Sequence, residues 1–168
     1  MSNSDLKVAA RGDRELVISR TFDAPAQMVF DAYTKPELLR QWLLGMDGWT
    51  MTVCEVDLRV GGRYRYVWRK EKTNDEMGMG GAFQEIINPE KFVATEQFDQ
   101  EWYPGGALST ITFTETDGKT FLQNVMQYDT NEAREAVLAS PMEDGLAPGY
   151  DRLEALVTNE KRSAAKGE

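Results

Sequence analysis

Residues 130–161, TNEAREAVLASPMEDGLAPGYDRLEALVTNEK, decide the fold. Met142, Leu146, Tyr150, Leu153, Leu156 and Val157 recur at helical spacing along one face, and Gly145 and Gly149 fall on the same stripe. Two start signals precede it. Thr130 can cap a short helix through Leu138, and Ser140-Pro141-Met142-Glu143 joins a capping box to proline at the first helical position. The main helix is therefore expected to restart at Pro141. Pro148 has no N–H to bond the Asp144 carbonyl, so a bend is expected there, with the glycines leaving room beneath the helix for large side chains or a ligand.

The chain before this helix supplies strands for it to cover. From Trp49 to Tyr128 the hydropathy alternates with period two, and Trp49–Leu58, Arg63–Arg69, Met77–Ile87, Phe92–Phe98, Leu108–Glu115 and Thr120–Tyr128 read as strands. Glu15–Phe22 reads as an earlier strand. Between it and Trp49, Asp23-Ala24-Pro25 and Thr34-Lys35-Pro36-Glu37 each begin a short helix, with Met28, Val29, Ala32 and Tyr33 on the first apolar face and Leu38, Leu39, Trp42 and Leu43 on the second. Residues 1–13 lack periodicity and read as a flexible N-terminus, and residues 163–168 as a flexible tail. One domain is left over residues 14–162. An antiparallel sheet of about seven strands with one apolar face must bury that face, and only the terminal helix is long enough to do it. The expected class is α+β, a curled sheet closed by the helix.

Composition narrows the chemistry. A formal charge of −9 and a pI near 4.7 argue against nucleic-acid binding, which needs clustered cations. No stretch approaches the ~20 apolar residues of a membrane span, and no charged and apolar leader opens the sequence, so a cytoplasmic protein without membrane insertion is expected. The 168 residues contain no histidine and one cysteine. Histidine-dependent triads, histidine-containing zinc sites and Cys-His nucleophiles are excluded, together with an intramolecular disulfide. Cys54 shares a face with Val56 and Leu58 and reads as an inert core thiol. The acidic loop residues Asp75, Glu76, Asp99 and Glu101 match no calcium-loop spacing, and Gly78-Met79-Gly80-Gly81 lacks the helix and Lys-Ser/Thr of a phosphate loop. No metal or cofactor is expected.

What remains is carboxylate and tyrosine chemistry on an apolar face. Tyr64, Tyr66 and Trp68 alternate with Arg63, Arg65 and Arg69, so one face of that strand is aromatic, either as core packing or as the lining of a ligand site. Phe92, Ala94 and Phe98 place Glu96 on an otherwise apolar face. A buried carboxylate there is costly unless paired or protonated, so Glu96 is either an arginine ion-pair partner or a ligand-binding group and candidate acid/base. Asn124, between Leu122 and Met126, is a second inward polar residue, satisfied by a neighbour or open to a ligand. Phe83, Phe113, Met126, Met142, Leu146 and Tyr150 complete the candidate wall. Trp102 and Tyr103, in the loop 99–106, are expected to be exposed, lining an entrance or engaging a partner.

The order of these segments carries a resemblance. Phe22-Asp23-Ala24-Pro25 with Val29-Phe30, Trp42, Asp57-Leu58-Arg59-Val60-Gly61-Gly62, Gly81-Ala82-Phe83-Gln84-Glu85-Ile86-Ile87-Asn88-Pro89-Glu90 and Gly149-Tyr150-Asp151-Arg152-Leu153 together resemble the helix-grip fold of the START and birch-pollen-allergen superfamily. More narrowly, the chain is similar to the activator-of-heat-shock-protein-90-ATPase homologue group, the SRPBCC proteins, from about Glu15 to Glu160. The resemblance implies a cavity between sheet and helix that holds a hydrophobic small molecule. Some relatives are polyketide cyclases or aromatases, which implies an enzyme alternative with Glu96 as proton donor or acceptor; others only bind. The co-chaperone relatives, linked to the stress response, carry a further N-terminal domain, which places a chaperone partner behind ligand binding. A homodimer through an open sheet edge is the remaining interaction reading.

Overall fold

The computed structural model describes residues 6–45 and 47–166, with the side-chain surroundings of residues 143, 145 and 166 outside that description. The elements are β1 (Lys7–Arg11), β2 (Glu15–Phe22), α1 (Ala26–Thr34), α2 (Pro36–Trp42), β3 (Trp49–Val56), β4 (Arg63–Lys70), β5 (Glu76–Ile87), β6 (Lys91–Phe98), β7 (Ala107–Thr116), β8 (Lys119–Tyr128), α3 (Asn131–Ala139) and α4 (Met142–Lys166). One antiparallel sheet takes the order β1-β2-β8-β7-β6-β5-β4-β3. It has eight strands rather than about seven, because residues 7–11 pair with Ser19–Glu15 as β1 instead of fraying. The tail is likewise helical as far as Lys166. The turn Asp117-Gly118, with φ of 54° and 79°, gives the tight β7–β8 hairpin its two left-handed residues.

The helices close one face of the sheet. Thr130 caps α3 by accepting from the Ala133 N–H at 3.1 Å. In α4, Tyr150, Leu153 and Val157 are buried at the expected spacing, and the helix continues through Pro148. Its grip on the sheet is partly polar: Arg20 on β2, fully buried, donates to Asp151 at 3.0 Å and stands 3.7 Å from Glu154. Tyr150 packs edge-on against Phe22 at 5.9 Å. Burying this cation without such partners would cost several kcal/mol, on the order of 3. Gly149, expected to leave room over the sheet, is buried against the end of α2, where a Cβ would stand 3.8 Å from the Trp42 carbonyl oxygen. Its role is helix-against-helix packing, fastened by Arg152 donating to the Trp42 and Gly45 carbonyls.

Candidate functional site

Register sorts the strand residues into two faces. On the inner face lie Tyr64 and Tyr66 of β4, opposite Gly81 and Met79 of β5; then Ala94, Glu96 and Phe98 of β6; then Ala107, Ser109, Ile111 and Phe113 of β7, opposite Tyr128, Met126, Asn124 and Leu122 of β8. One end of this face is closed by aromatic packing. Phe30, Phe92 and Phe113, with Tyr33, Trp42 and Phe83, stack edge-on or tilted at centroid distances from 5.0 to 6.3 Å. Tyr33 donates its hydroxyl to that of Tyr150 at 2.9 Å, and desolvation raises the pKa of both phenols. Phe83, Phe113, Met126 and Tyr150 are buried, and Trp68 is tied by its indole N–H to the Leu43 carbonyl at 3.0 Å. These candidates belong to the packed interior.

Toward the other end the inner face is not sealed. Tyr66, Met79, Glu96 and Phe98 point inward there and keep accessible surface, whereas Asn124, also partly accessible, lies in the row of Ile111 and Phe92 at the closed end. Glu96 is the polar centre of this region. Its Oε1 accepts from the Tyr103 hydroxyl at 3.4 Å, and among the described residues no cation pairs with it. Removal from water pushes its carboxyl pKa up to about 7, against a smaller opposing pull from the Tyr103 hydrogen bond. Its negative charge in turn raises the phenol pKa values of Tyr64, Tyr66, Tyr103 and Tyr128, each already lifted chiefly by desolvation. Asn124 accepts from the Ser109 hydroxyl at 2.7 Å. Leu146 lies half-buried on α4, and Met142 borders a separate recess of about 250 Å³ with Val8, Leu138 and Pro141.

Two residues beside Glu96 are missing from the candidate wall read from the sequence, for different reasons. Tyr128 continues the Asn124–Met126 alternation and was legible from it. Tyr103, expected at the surface beside Trp102, is only 4% exposed, because the loop folds its ring edge-on against Tyr128 at 5.2 Å and Phe98 at 6.1 Å. A loop side chain has no periodicity to reveal this. Trp102 does stay exposed.

The glycine run of β5 shapes the outer face. Over Gly78 the Arg65 guanidinium crosses β5 to pair with Asp99, with one contact of 2.8 Å, and Asp99 is held below the usual carboxylate range by that hydrogen bond. Tyr64 lies across Gly81 and donates to the Thr95 carbonyl at 2.7 Å. An open groove of about 1180 Å³ runs over this part of the sheet, lined by Glu55, Arg63, Arg65, Thr95, Gln97 and Asp99 and equally by Tyr64, Glu96, Phe98 and Ala107. Among the described residues no cluster of three acidic or thiol side chains stands close enough to hold a metal, and no helix is long and apolar enough to cross a membrane. Burial raises the Cys54 pKa, as befits a core thiol.

A curled antiparallel sheet, two short helices after the second strand and a long C-terminal helix laid across the inner face define a helix-grip domain of the SRPBCC type. Residues 23–158 match the family described as activator of Hsp90 ATPase homolog 1-like protein, and the chain belongs to that family. A crystal structure of a protein from Rhodobacter sphaeroides is 28% identical, with a TM-score of 0.86 over 92% of this chain and 99% of that one. Proteins from Chromobacterium violaceum (27% identity, TM-score 0.71, 86% and 96% covered) and Mycobacterium smegmatis (25%, 0.73, 90% and 97%) share the architecture. No curated protein matches the chain.

Proposed function

We propose that this protein binds a small, largely apolar molecule on the inner sheet face, beneath α4 and beside Glu96. The observation that carries the reading is a half-buried carboxyl on an apolar face that pairs with no cation among the described residues. Such a group is destabilising in the empty protein and becomes useful when a ligand satisfies it. Tyr66, Met79 and Phe98 supply the apolar contact area around it, while Asn124 stands farther along the same face, in the row of Ile111 and Phe92. The test is a thermal-shift screen of small apolar compounds, repeated on Glu96→Gln. A ligand at about a hundred times its Kd adds roughly 2.7 kcal/mol, a shift of several degrees for a domain of this size. Hits on the native chain that weaken in Glu96→Gln support the reading; a screen in which no compound moves the midpoint overturns it.

A second reading follows from the same carboxyl. A pKa of about 7 suits proton transfer in both directions at neutral pH, and the Tyr103 hydroxyl beside it completes a carboxyl–phenol pair. This is the inventory that a cyclase or dehydratase without histidine would use. Retained binding with abolished turnover of a reactive polyketone in Glu96→Gln separates this activity from binding alone.

A further inference from the structure

Glu96 sits between two aromatic walls. On one side Trp68, Tyr66, Tyr64 and Phe83 follow one another along β4 and β5 at centroid distances of 5.1 to 6.1 Å. On the other, Phe98, Tyr103 and Tyr128 are spaced 5.2 to 6.1 Å apart. The residue directly across from Glu96 on β7 is Ala107, which pairs in turn with Tyr128, so the row beside the carboxyl carries a methyl group rather than a charged side chain, and Glu96 and Ala107 both line the open groove. The Tyr64 hydroxyl is committed to Thr95 and that of Tyr103 to Glu96, whereas among the described residues the hydroxyls of Tyr66 and Tyr128 have no hydrogen-bond partner.

We infer that the ligand of this site is an organic cation, an apolar amine or quaternary ammonium whose positive charge is countered by Glu96 and faced by the rings of Tyr66, Tyr103 and Tyr128. The inference rests on the proposal that the inner face binds a small molecule, and it names that molecule's charge. A carboxylate lacking a protein cation supplies the counter-charge, and tyrosine faces, negative at their centres, attract an ammonium group most strongly when it is desolvated. A neutral hydrogen-bond acceptor would instead need Glu96 protonated. The two cases have opposite pH dependence. The groups facing Glu96 are Tyr64 and Tyr66 from β4, Tyr103 from the loop and Tyr128 from β8, all phenols raised above their ordinary range, so over neutral pH Glu96 is the group that titrates.

The test uses benzyltrimethylammonium, whose charge does not titrate, and neopentylbenzene, its neutral isostere, measured by calorimetric titration of the full chain. Above the Glu96 pKa, near pH 8.5, the cation is expected to bind at least about tenfold more tightly than the isostere. That preference should collapse near pH 5.5 and in Glu96→Gln, while the isostere's affinity stays level; circular dichroism verifies that the variant is folded. If both ligands bind equally at the higher pH, or the cation's affinity survives Glu96→Gln, the charge assignment is overturned and the binding proposal stands. If neither binds at millimolar concentration, both are overturned.

Discussion

At Glu96 two effects oppose each other: removal from water favours the protonated carboxyl, and the Tyr103 hydroxyl favours the carboxylate. Desolvation wins, lifting the folded-state pKa from 4.5 to about 7. Between those values the folded chain keeps a proton that the unfolded chain has released, so stability falls as pH rises through this window and the cost is complete above about 7. Each pKa unit is worth about 1.4 kcal/mol, and with some solvent still reaching the side chain the full cost is on the order of 2 kcal/mol. Glu96→Gln is therefore expected to match the native chain near pH 4 and to exceed its stability by about that amount near pH 8. Urea unfolding at both values measures this, and parallel pH profiles for the two proteins would refute it. Glu96 was legible in the sequence because it shares its parity on β6 with Phe92, Ala94 and Phe98, which fix the inner face even though Val93 on the opposite face is buried as well. Its surroundings were less so: alternation already put Arg65 on the outer face of β4, but the pairing of that arginine with Asp99 and the Tyr103 hydroxyl brought to Glu96 by a loop are non-local.

Single elements show why composition can mislead about glycine. The run Gly78-Met79-Gly80-Gly81 sits inside a regular strand, where glycine ordinarily weakens pairing. Here backbone and side chains from neighbouring strands occupy the space that Cβ atoms would take: Arg65 and Asp99 over Gly78, the Tyr64 carbonyl over Gly80, the Thr95 carbonyl against Gly81. The register shifts between Phe83 and Glu85, just beyond the run. Gly149 is the opposite case, a helical glycine with ordinary van der Waals room around a Cβ. The two sites should respond with opposite signs. Gly81→Ala places a methyl into a backbone oxygen and is expected to destabilise by more than about 2 kcal/mol, whereas Gly149→Ala should stabilise by roughly 0.5–1 kcal/mol through helix propensity. Denaturation midpoints of the two variants decide the matter; a stabilised Gly81→Ala, or a Gly149→Ala that loses more than about 1 kcal/mol, contradicts the packing described.

Over the whole molecule, the sheet is a meander from β3 to β8 onto which the N-terminal hairpin is added last in space. The six consecutive strands, their order and the covering helix were readable because alternation and turn residues repeat along them. β1 was not, for a physical reason: Lys7-Val8-Ala9-Ala10-Arg11 offers the inner face only Val8 and Ala10, too little apolar surface to mark a strand. Its hold is polar and non-local. Arg134 of α3, buried, donates to the carbonyls of Gly12 at 3.2 Å and Glu15 at 2.9 Å, and Asn131 donates to the Asp13 carbonyl at 2.7 Å. Tyr128 donates its N–H to the Arg14 carbonyl at 2.8 Å, which ties the same hairpin to the strand that carries part of the candidate site. A chain beginning at Arg14 loses the β1 ladder and one acceptor of a buried guanidinium, together worth about 2–4 kcal/mol. It also turns β2 into an edge carrying the consecutive apolar residues Leu16, Val17 and Ile18, a surface open to pairing with another chain. The truncated protein should therefore unfold at lower urea and sediment as a concentration-dependent mixture of monomer and larger species, while the full chain shows no such trend attributable to this edge. Equal midpoints and equal sedimentation for the two would mean that β1 contributes neither stability nor protection, and that the polar anchors at Arg134 and Asn131 are satisfied as well by water as by the hairpin.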